Sequence, residues 1–158
     1  MSAGLLLHRT GPAGAEVFVA HMGGPFWRNR PRAWSIPKGL VEPDEDPLAT
    51  ALREFGEEIG VPAPVSADDV TDLGEFRQAS GKRVRVFAAP APGFEVAVVR
   101  SNTVRLELPR GSGRFVDVPE VDDARWVPVA EVRALLVAGQ VAAVDALLVL
   151  LEGPDPAG

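Results

Sequence analysis

Apolar residues recur at steps of four and three along one segment of the chain, which is the spacing of one side of an α-helix. The four residues are Leu48, Leu52, Phe55 and Ile59. Their spacing predicts a helix over residues 47–59, about three and a half turns long. Asp46 is a favourable N-cap, and Pro47 suits the first helical position because its missing N–H costs nothing there. Gly60 predicts the end of the helix.

Shorter segments rich in β-branched or alternating apolar residues predict strands. They are residues 3–9, 16–22, 72–78, 82–90, 103–109 and 125–129. The third and fourth would form a hairpin across Ala79-Ser80-Gly81. Apolar spacing predicts two further helices near 129–137 and 140–151. Strands interleaved with helices predict one α/β or α+β domain over residues 1–153, with a frayed tail at 154–158.

Composition narrows the class of protein but does not identify its activity. The chain has 158 residues, 46% of them hydrophobic, and a formal net charge of −6, which argues against nonspecific binding to nucleic acid or to an acidic membrane. It has no cysteine, so disulfides and thiol chemistry are excluded. The start lacks a basic segment before its short apolar run, and no apolar run is long enough to span a bilayer. We therefore expect a cytoplasmic protein.

The predicted helix also carries three glutamates, Glu54, Glu57 and Glu58, within about one turn of each other. Like charges at these spacings repel, and a cation bound between them would turn the repulsion into attraction. Carboxylate oxygens are ligands that magnesium accepts, usually together with water and substrate phosphates. The simpler interpretation is a solvated acidic face, which is what most charge runs are.

The wider spacing decides between these interpretations. Residues 39–61 read G-x5-E-x7-R-E-(apolar)-x-E-E-x-G-(apolar), beginning at Gly39 and ending at Val61. This pattern resembles the signature of the Nudix hydrolases at every defining position. The preceding Pro37-Lys38-Gly39 resembles the branch that acts on diadenosine polyphosphates and nucleoside triphosphates.

The resemblance implies a fold, an activity and a metal. The fold would be an α/β/α sandwich with a mixed curved sheet and the signature loop and helix at residues 39–61. The activity would be hydrolysis of a pyrophosphate linkage in a nucleoside diphosphate joined to another group, with water attacking phosphorus. The cofactor would be Mg²⁺, with Mn²⁺ possible, and the partner a small nucleotide or polyphosphate. We expect no stable binding of nucleic acid and no membrane association.

The resemblance also implies roles for individual residues. Metal ligands would be Glu54, Glu57, Glu58 and the carbonyl of Gly39. The catalytic group would comprise Glu54, which could also take the proton from water, with Glu57 and Arg53. Glu45 would pair with Arg53 and orient it, and Lys38 would contact a substrate phosphate.

Many members of the family use a further acid from a distant loop, and several residues of this chain are candidates. They are Glu95, Glu107, Asp117, Glu120, Asp122 and Asp123. Glu120 is the preferred one, because it resembles the position before the last strand in the diadenosine-polyphosphate branch. His8 and His21 lack partners at metal-ligand spacing and are expected to be ordinary residues.

Basic and aromatic residues outside the motif could bind phosphates and a nucleobase. One group is the loop that carries Trp27, Arg28, Arg30, Arg32 and Trp34, and another is Lys82, Arg83 and Arg85. For both groups a structural or solvated role is equally compatible with the sequence. The aromatic residues to suspect of base contact are Phe26, Trp27, Phe76 and Phe87.

Two alternatives to the hydrolase belong to other classes. A catalytically silent module with the same fold would bind a nucleotide but would usually have lost acids from the helix. A calcium loop would need alternating oxygen ligands and a glycine at its bend, and residues 43–47 have neither. The substrate stays open among nucleoside triphosphates, diadenosine polyphosphates, ADP-ribose, nucleotide sugars and diphosphoinositol phosphates. The sequence does not determine the oligomeric state.

Overall fold

The computed structural model describes residues 1–153. The tail predicted to be frayed, residues 154–158, lies outside the described residues. Nine strands, three α-helices and two short 3₁₀ helices make up the described part of the chain. The strands are β1 Ser2–Gly11, β2 Gly14–Met22, β3 Trp34–Ser35, β4 Lys38–Leu40, β5 Thr71–Arg77, β6 Arg83–Pro90, β7 Thr103–Glu107, β8 Phe115–Pro119 and β9 Val121–Pro128. The helices are α1 Pro47–Ile59, α2 Val129–Leu135 and α3 Val141–Glu152, with 3₁₀ turns at Ala67–Asp69 and Ala138–Gln140.

Seven strands form one mixed sheet. Its order is β3-β2-β1-β6-β5, with β4 paired to β1 and β9 paired to β2. β1 and β6 run parallel, and the other pairs are antiparallel. β7 and β8 form a separate antiparallel hairpin beside this sheet.

Alternating side chains of the central strands enter two different cores, one on each face of the sheet. On β1, Leu5 and Leu7 pack with Phe55 and Ile59 of α1. Leu6 points the other way, into a cluster that includes residues of α2 and α3. Both faces of the sheet are therefore covered by helices, and this is why the centre of β1 is apolar at consecutive positions. The predicted α/β/α sandwich with a mixed sheet is confirmed.

α1 begins and ends where the sequence predicted. The Asp46 carboxylate accepts a hydrogen bond from the N–H of Ala49 at 3.1 Å, and Pro47 is the first helical residue. Gly60 ends the helix at φ 93°, a left-handed conformation that favours glycine. The helix is thus capped at both ends, and the packing of Phe55 and Ile59 against β1 sets its rotation relative to the sheet.

The sequence missed three short strands: β3, β4 and β8. β3 and β4 have only two and three residues, too few for an alternating pattern, and they form because longer strands lie beside them. β8 is a largely exposed strand of the separate hairpin. β9 also begins at Val121 and not at residue 125. The predicted hairpin of β5 and β6 is confirmed.

No helix within residues 1–153 is long and apolar enough to cross a membrane.

Candidate active site

The acidic residues of α1 lie against β4, because both elements pack on β1. β4 pairs with the start of β1, with Gly39 opposite Ala3 and Lys38 opposite Gly4. The apolar side of α1 packs on the same part of β1 through Ala51, Phe55 and Ile59. Glutamates at the edge of that apolar side therefore face the backbone of β4.

Glu58 is the most buried of these acids, with 6% of its surface exposed. One carboxylate oxygen accepts a hydrogen bond from the backbone N–H of Lys38 at 3.2 Å. Burial, followed by the nearby charge of Glu120, raises the pKa of Glu58 to about 8, although the Lys38 charge opposes this. A carboxylate buried beside other acids is costly unless a cation joins it.

Glu54 lies directly over Gly39. A Cβ placed on Gly39 would overlap the carboxylate of Glu54, so only glycine at this position leaves the acid where it is. Burial, followed by the charge of Glu57, raises the pKa of Glu54 above its ordinary value. Gly39 thus allows the β4 backbone and the Glu54 carboxylate to lie in close contact.

Arg53 joins the acids of the loop and the helix. Its guanidinium donates to both carboxylate oxygens of Glu45, at 2.8 and 3.0 Å. It also donates to Glu54 at 3.0 Å and to Glu57 at 3.1 Å. The hydrogen bonds from Arg53 lower the pKa of Glu45 to about 2. The arrangement holds Arg53 in place from the loop side, and Arg53 in turn holds the helix acids.

Glu120 is the distal acid that the structure brings to this cluster. It lines the same cavities as Glu54, Glu57 and Glu58, and its charge raises the pKa of Glu58. Four of the other five candidates have partners elsewhere, and the fifth, Asp117, lies on β8 opposite Arg105 of β7. Glu95 pairs with Arg9, Asp122 with His21, Asp123 with Arg125, and Glu107 accepts from the Gly113 N–H within the hairpin. His21, expected to be an ordinary residue, lies on β2, where its Nδ1 is 2.6 Å from the Asp122 carboxylate.

Asn102 was not singled out from the sequence, yet it connects Glu120 to α1. Its side-chain amide donates to the Glu120 carboxylate at 2.7 Å, and its carbonyl accepts from the Glu120 N–H at 3.0 Å. Its own N–H donates to the carbonyl of Glu57 at 2.9 Å, one of the free carbonyls at the end of α1. An asparagine in an irregular loop gives no sequence signal for such a role.

Two adjoining cavities open at the acids. The larger, of about 660 Å³, is lined by Glu54, Glu57 and Gly39 on one side and by Lys82 and Arg83 on the other. The smaller, of about 370 Å³, includes Glu58. Trp27, Lys38 and Glu120 line both, so they lie at the boundary between the two.

The basic and aromatic residues divide between this site and structural roles. Of Lys82, Arg83 and Arg85, the first two line the larger cavity, and Arg85 pairs with Asp72. Arg83 also contacts Glu75, at 3.4 Å. Arg32 donates to the carbonyls of Arg133 and Leu136. Among the suspected aromatic residues, Phe26 and Trp27 line the smaller cavity. Trp34, Phe76 and Phe87 instead pack in or against the two cores.

The donor chemistry of the cluster fits a hard divalent cation, since every available side-chain ligand is a carboxylate oxygen. Three of these acids lie around Gly39 and Lys38, and two have pKa values raised by burial and mutual repulsion. Within residues 1–153, no three acidic or histidine side chains already surround one point at ligand distance. Arg53 donates to the Oε1 atoms of Glu54 and Glu57, and the Oε2 atoms of both carboxylates accept no bond from it.

The chain is similar to known proteins in its family pattern, its sequence and its structure. The family model described as NUDIX domain matches residues 2–147. A nucleoside triphosphate pyrophosphatase/Nudix hydrolase fusion protein of Bifidobacterium longum is 29% identical over 68% of this chain and 22% of its own length. An RNA pyrophosphohydrolase of Acidiphilium cryptum is 31% identical over 66% of this chain and 62% of its own length.

The fold has solved counterparts. The crystal structure of a C. elegans Ap4A hydrolase binary complex superposes with a TM-score of 0.67, covering 98% of this chain and all of that one. Its sequence identity is 18%, so the likeness is one of fold. This chain spans less than two thirds of the length of the two curated relatives above, about a fifth of the first and 62% of the second.

Proposed function

This chain belongs to the Nudix family, and from that premise we propose that it is a Mg²⁺-dependent pyrophosphohydrolase. Its substrate would be a nucleoside diphosphate linked to another group, and specifically a nucleoside triphosphate or a diadenosine polyphosphate. The relatives named as pyrophosphatase and pyrophosphohydrolase support a hydrolase that acts on phosphoric anhydride bonds.

One observation carries the proposal: four carboxylates line adjoining cavities whose other walls hold lysine and arginine. By themselves these carboxylates would repel a phosphate chain, because both are negatively charged. The four residues are Glu54, Glu57, Glu58 and Glu120. Lys38, Lys82 and Arg83 supply positive charge at the boundary and on the far wall. Phosphoryl transfer to water requires carboxylates that bind a cation and, next to them, positively charged side chains that bind the phosphates.

Each residue of the site would have a separate role in binding or catalysis. Glu54, Glu57, Glu58 and the Gly39 carbonyl would hold the cation, and Lys38 would contact a phosphate of the substrate. The Oε1 atom of Glu54 accepts from Arg53, and its Oε2 atom would take the proton from the attacking water. Arg53 and Glu45 would keep the Glu54 carboxylate oriented. Glu120 would act from the opposite side as a further ligand or base.

The divalent cation, when bound, would neutralise charge on the phosphates and help to orient and acidify the attacking water.

A panel of substrates tests the proposal. The purified protein is incubated with nucleoside triphosphates, diadenosine polyphosphates, ADP-ribose, nucleotide sugars, diphosphoinositol phosphates and a 5′-triphosphorylated RNA. Each is tested with Mg²⁺, with Mn²⁺ and with EDTA, and the products are separated by chromatography. Metal-dependent cleavage of a nucleoside triphosphate or a diadenosine polyphosphate is the expected result.

Two other results would change the conclusion. Cleavage of another class would keep the hydrolase and correct its substrate. Tight nucleotide binding without turnover of any compound would overturn the hydrolase in favour of a catalytically silent nucleotide-binding module.

Gly39→Ala is expected to lower kcat by about 10–100-fold with little loss of stability, because the added Cβ displaces the Glu54 carboxylate. Steady-state kinetics and thermal denaturation measure the two effects. Gly56→Ala is the matched control within the same motif. A Cβ there meets nothing closer than 3.9 Å, and the helix should gain stability without a change in kcat. Equal activity of both variants would argue against a role for the Glu54 position.

Asn102→Ala is expected to lower kcat by about tenfold, because the Glu120 carboxylate loses the amide that holds it. If Asn102 acts through Glu120, the same substitution should have no further effect in a Glu120→Gln background. A double-mutant cycle on kcat measures this coupling. Additive losses, or a loss that follows the melting temperature, would show that Asn102 is only a structural part of the loop.

A further inference from the structure

The smaller cavity has walls of a different character from the rest of the site. One wall is the turn that carries Phe26 and Trp27, and the opposite wall is the β7–β8 hairpin, through Val104 and Leu106. Its volume of about 370 Å³ lies within the usual range for small-molecule sites. The cavity is therefore an apolar slot that ends at the acids.

The two walls are held at a defined separation by contacts at their base. The N–H of Gly23 donates to the carbonyl of Glu120 at 2.9 Å, which ties the turn to the segment after the hairpin. A Cβ on Gly23 would overlap the carbonyl of Pro119, so the two backbones approach as closely as glycine allows. Gly24, at φ 89°, turns the chain toward Phe26 and Trp27 beside Leu106 and Val118. The slot is thus built into the backbone of the fold.

The aromatic wall is braced from the side. The Phe26 and Trp27 rings meet edge to face with centroids 4.9 Å apart. The Arg30 guanidinium lies over the Phe26 ring at 4.0 Å and donates to the Phe26 carbonyl. The ring contact with Phe26 limits the rotation of Trp27, which lines the slot.

The polar side chains of the slot either lie at its inner end, next to the acids, or are already hydrogen-bonded within the protein. Lys38, Glu58 and Glu120 belong to the catalytic end. Ser35 donates to the carbonyl of Ile36 at 2.8 Å and accepts from Gln140 at 3.0 Å, so its hydroxyl is engaged. The indole N–H of Trp27 is a hydrogen-bond donor and not an acceptor. Since every nucleobase carries an acceptor, this group does not select one base over another.

We propose that this slot holds the nucleobase of the substrate by stacking and shape, and that the enzyme consequently acts on nucleotides with little regard to which base they carry. The inference rests on the proposed function, and it names the substrate class of that site more closely. With the base in the slot, the phosphate chain passes Lys38 at the boundary and crosses the acids toward Lys82 and Arg83.

The physical reason is the difference between stacking and edge recognition. Stacking on an aromatic ring tolerates any base, because every base has a π face. Rejection of a wrong base by large factors requires a site whose buried polar groups are left unpaired by it. Apart from its inner end, the slot offers apolar and aromatic walls, a Ser35 hydroxyl that is already bonded, and the Trp27 indole N–H, which an acceptor on any base can satisfy.

The first measurement compares ATP, GTP, CTP and UTP with inorganic tripolyphosphate, which has no base. We expect kcat/KM for the four nucleotides to agree within about tenfold. We expect tripolyphosphate to bind at least about tenfold more weakly than the nucleotides, because it lacks the stacked ring. Preference for one base by about 1,000-fold or more would overturn the proposal.

Variants of the slot provide the second measurement. Trp27→Ala should raise KM for all four nucleotides by about tenfold or more and leave tripolyphosphate unchanged, and Trp27→Phe should restore most of the loss. Leu106→Phe fills the slot from the opposite wall and should also raise KM for all four nucleotides. Phe115→Ala is the matched control, since Phe115 lies on the same hairpin but is 51% exposed and does not line the slot. Equal effects on nucleotides and tripolyphosphate would overturn the proposal.

Failure of the hydrolase proposal would be visible separately. If no substrate is turned over, binding of the α,β-methylene analogues of the four nucleotides is measured by calorimetry. Equal affinities that fall together in Trp27→Ala would still support the base slot in a binding module. Absence of binding, or binding that does not depend on Trp27, would refute it.

Discussion

Replacement of Glu57 and Glu58 together by glutamine is expected to lower kcat/KM by about 1,000-fold or more. Both side chains line the acidic part of the site, and glutamine keeps their size while removing the negative charge that a divalent cation needs. Steady-state rates with the substrate identified by the panel, at saturating Mg²⁺, measure the loss. Circular dichroism and thermal denaturation show whether the variant is folded.

The control has the same change of charge at a distance from the site. Glu131→Gln with Glu152→Gln removes two exposed carboxylates from α2 and α3, on the opposite face of the sheet, and should leave the rate unchanged. The proposal that these acids hold a catalytic cation would fail if the Glu57, Glu58 variant kept near-normal activity. It would also fail if the control variant lost as much.

Glu58→Gln is expected to make the metal-free protein more stable at pH 8.5, although it should impair activity. Burial raises the pKa of Glu58 from 4.5 in the unfolded chain to about 8 in the folded protein. Between these pH values the folded protein retains a proton that the unfolded chain has lost, so the free energy of unfolding falls as the pH rises. Glutamine is always neutral and can still accept the hydrogen bond from the Lys38 N–H.

The expected gain at pH 8.5 is about 2–4 kcal/mol, or about 5–10 °C in melting temperature. Below pH 4.5 the wild-type carboxyl is protonated in both states, and the difference should disappear. Thermal denaturation in EDTA across this pH range measures it. Added Mg²⁺ should then stabilise the wild type more than the variant.

Glu57→Gln is the matched comparison, because Glu57 is exposed and its neutralisation should change stability little. A Glu58→Gln variant less stable than wild type at every pH would contradict the picture of a carboxylate that burial destabilises. A gain that persists at low pH would point to packing and not to charge. Together with the loss of activity, the expected result would show an acid retained for function at a cost in stability.

Sequence patterns of period 3.6 and 2 predicted the parts of this fold that carry their own signal. α1 has a capping carboxylate, a proline at its first position, an apolar side and a terminal glycine, and its bounds match the prediction. β1 and β2 are long, and each carries a continuous buried apolar run, at residues 5–7 and 17–20, which is the pattern of a strand covered on both faces. β3 and β4 are too short for any pattern, and only their pairing with longer neighbours makes them strands.

The acids of the signature were identified from their spacing, but the fold decides which other residues join them. A helix places residues three and four apart on one side, so sequence alone brings Glu54 close to Glu57 and Glu58. Glu120 lies 62 positions beyond Glu58, and no local rule connects the two. The backbone around Asn102 and β9 brings Glu120 to the helix, and that path depends on pairings between distant strands.

The sequence by itself therefore determined the family signature, the capped helix and the identity of three acids, because these depend on residues within one or two turns of each other. Only the tertiary structure decided which of the distal acids faces the cluster, that Arg32 bonds carbonyls at the end of α2, and that Trp34 packs against a core. It also decided that Trp27 lines a slot against the β7–β8 hairpin. These placements depend on contacts between segments that are far apart in the chain. The identity of a residue does not by itself specify which distant residue it will contact.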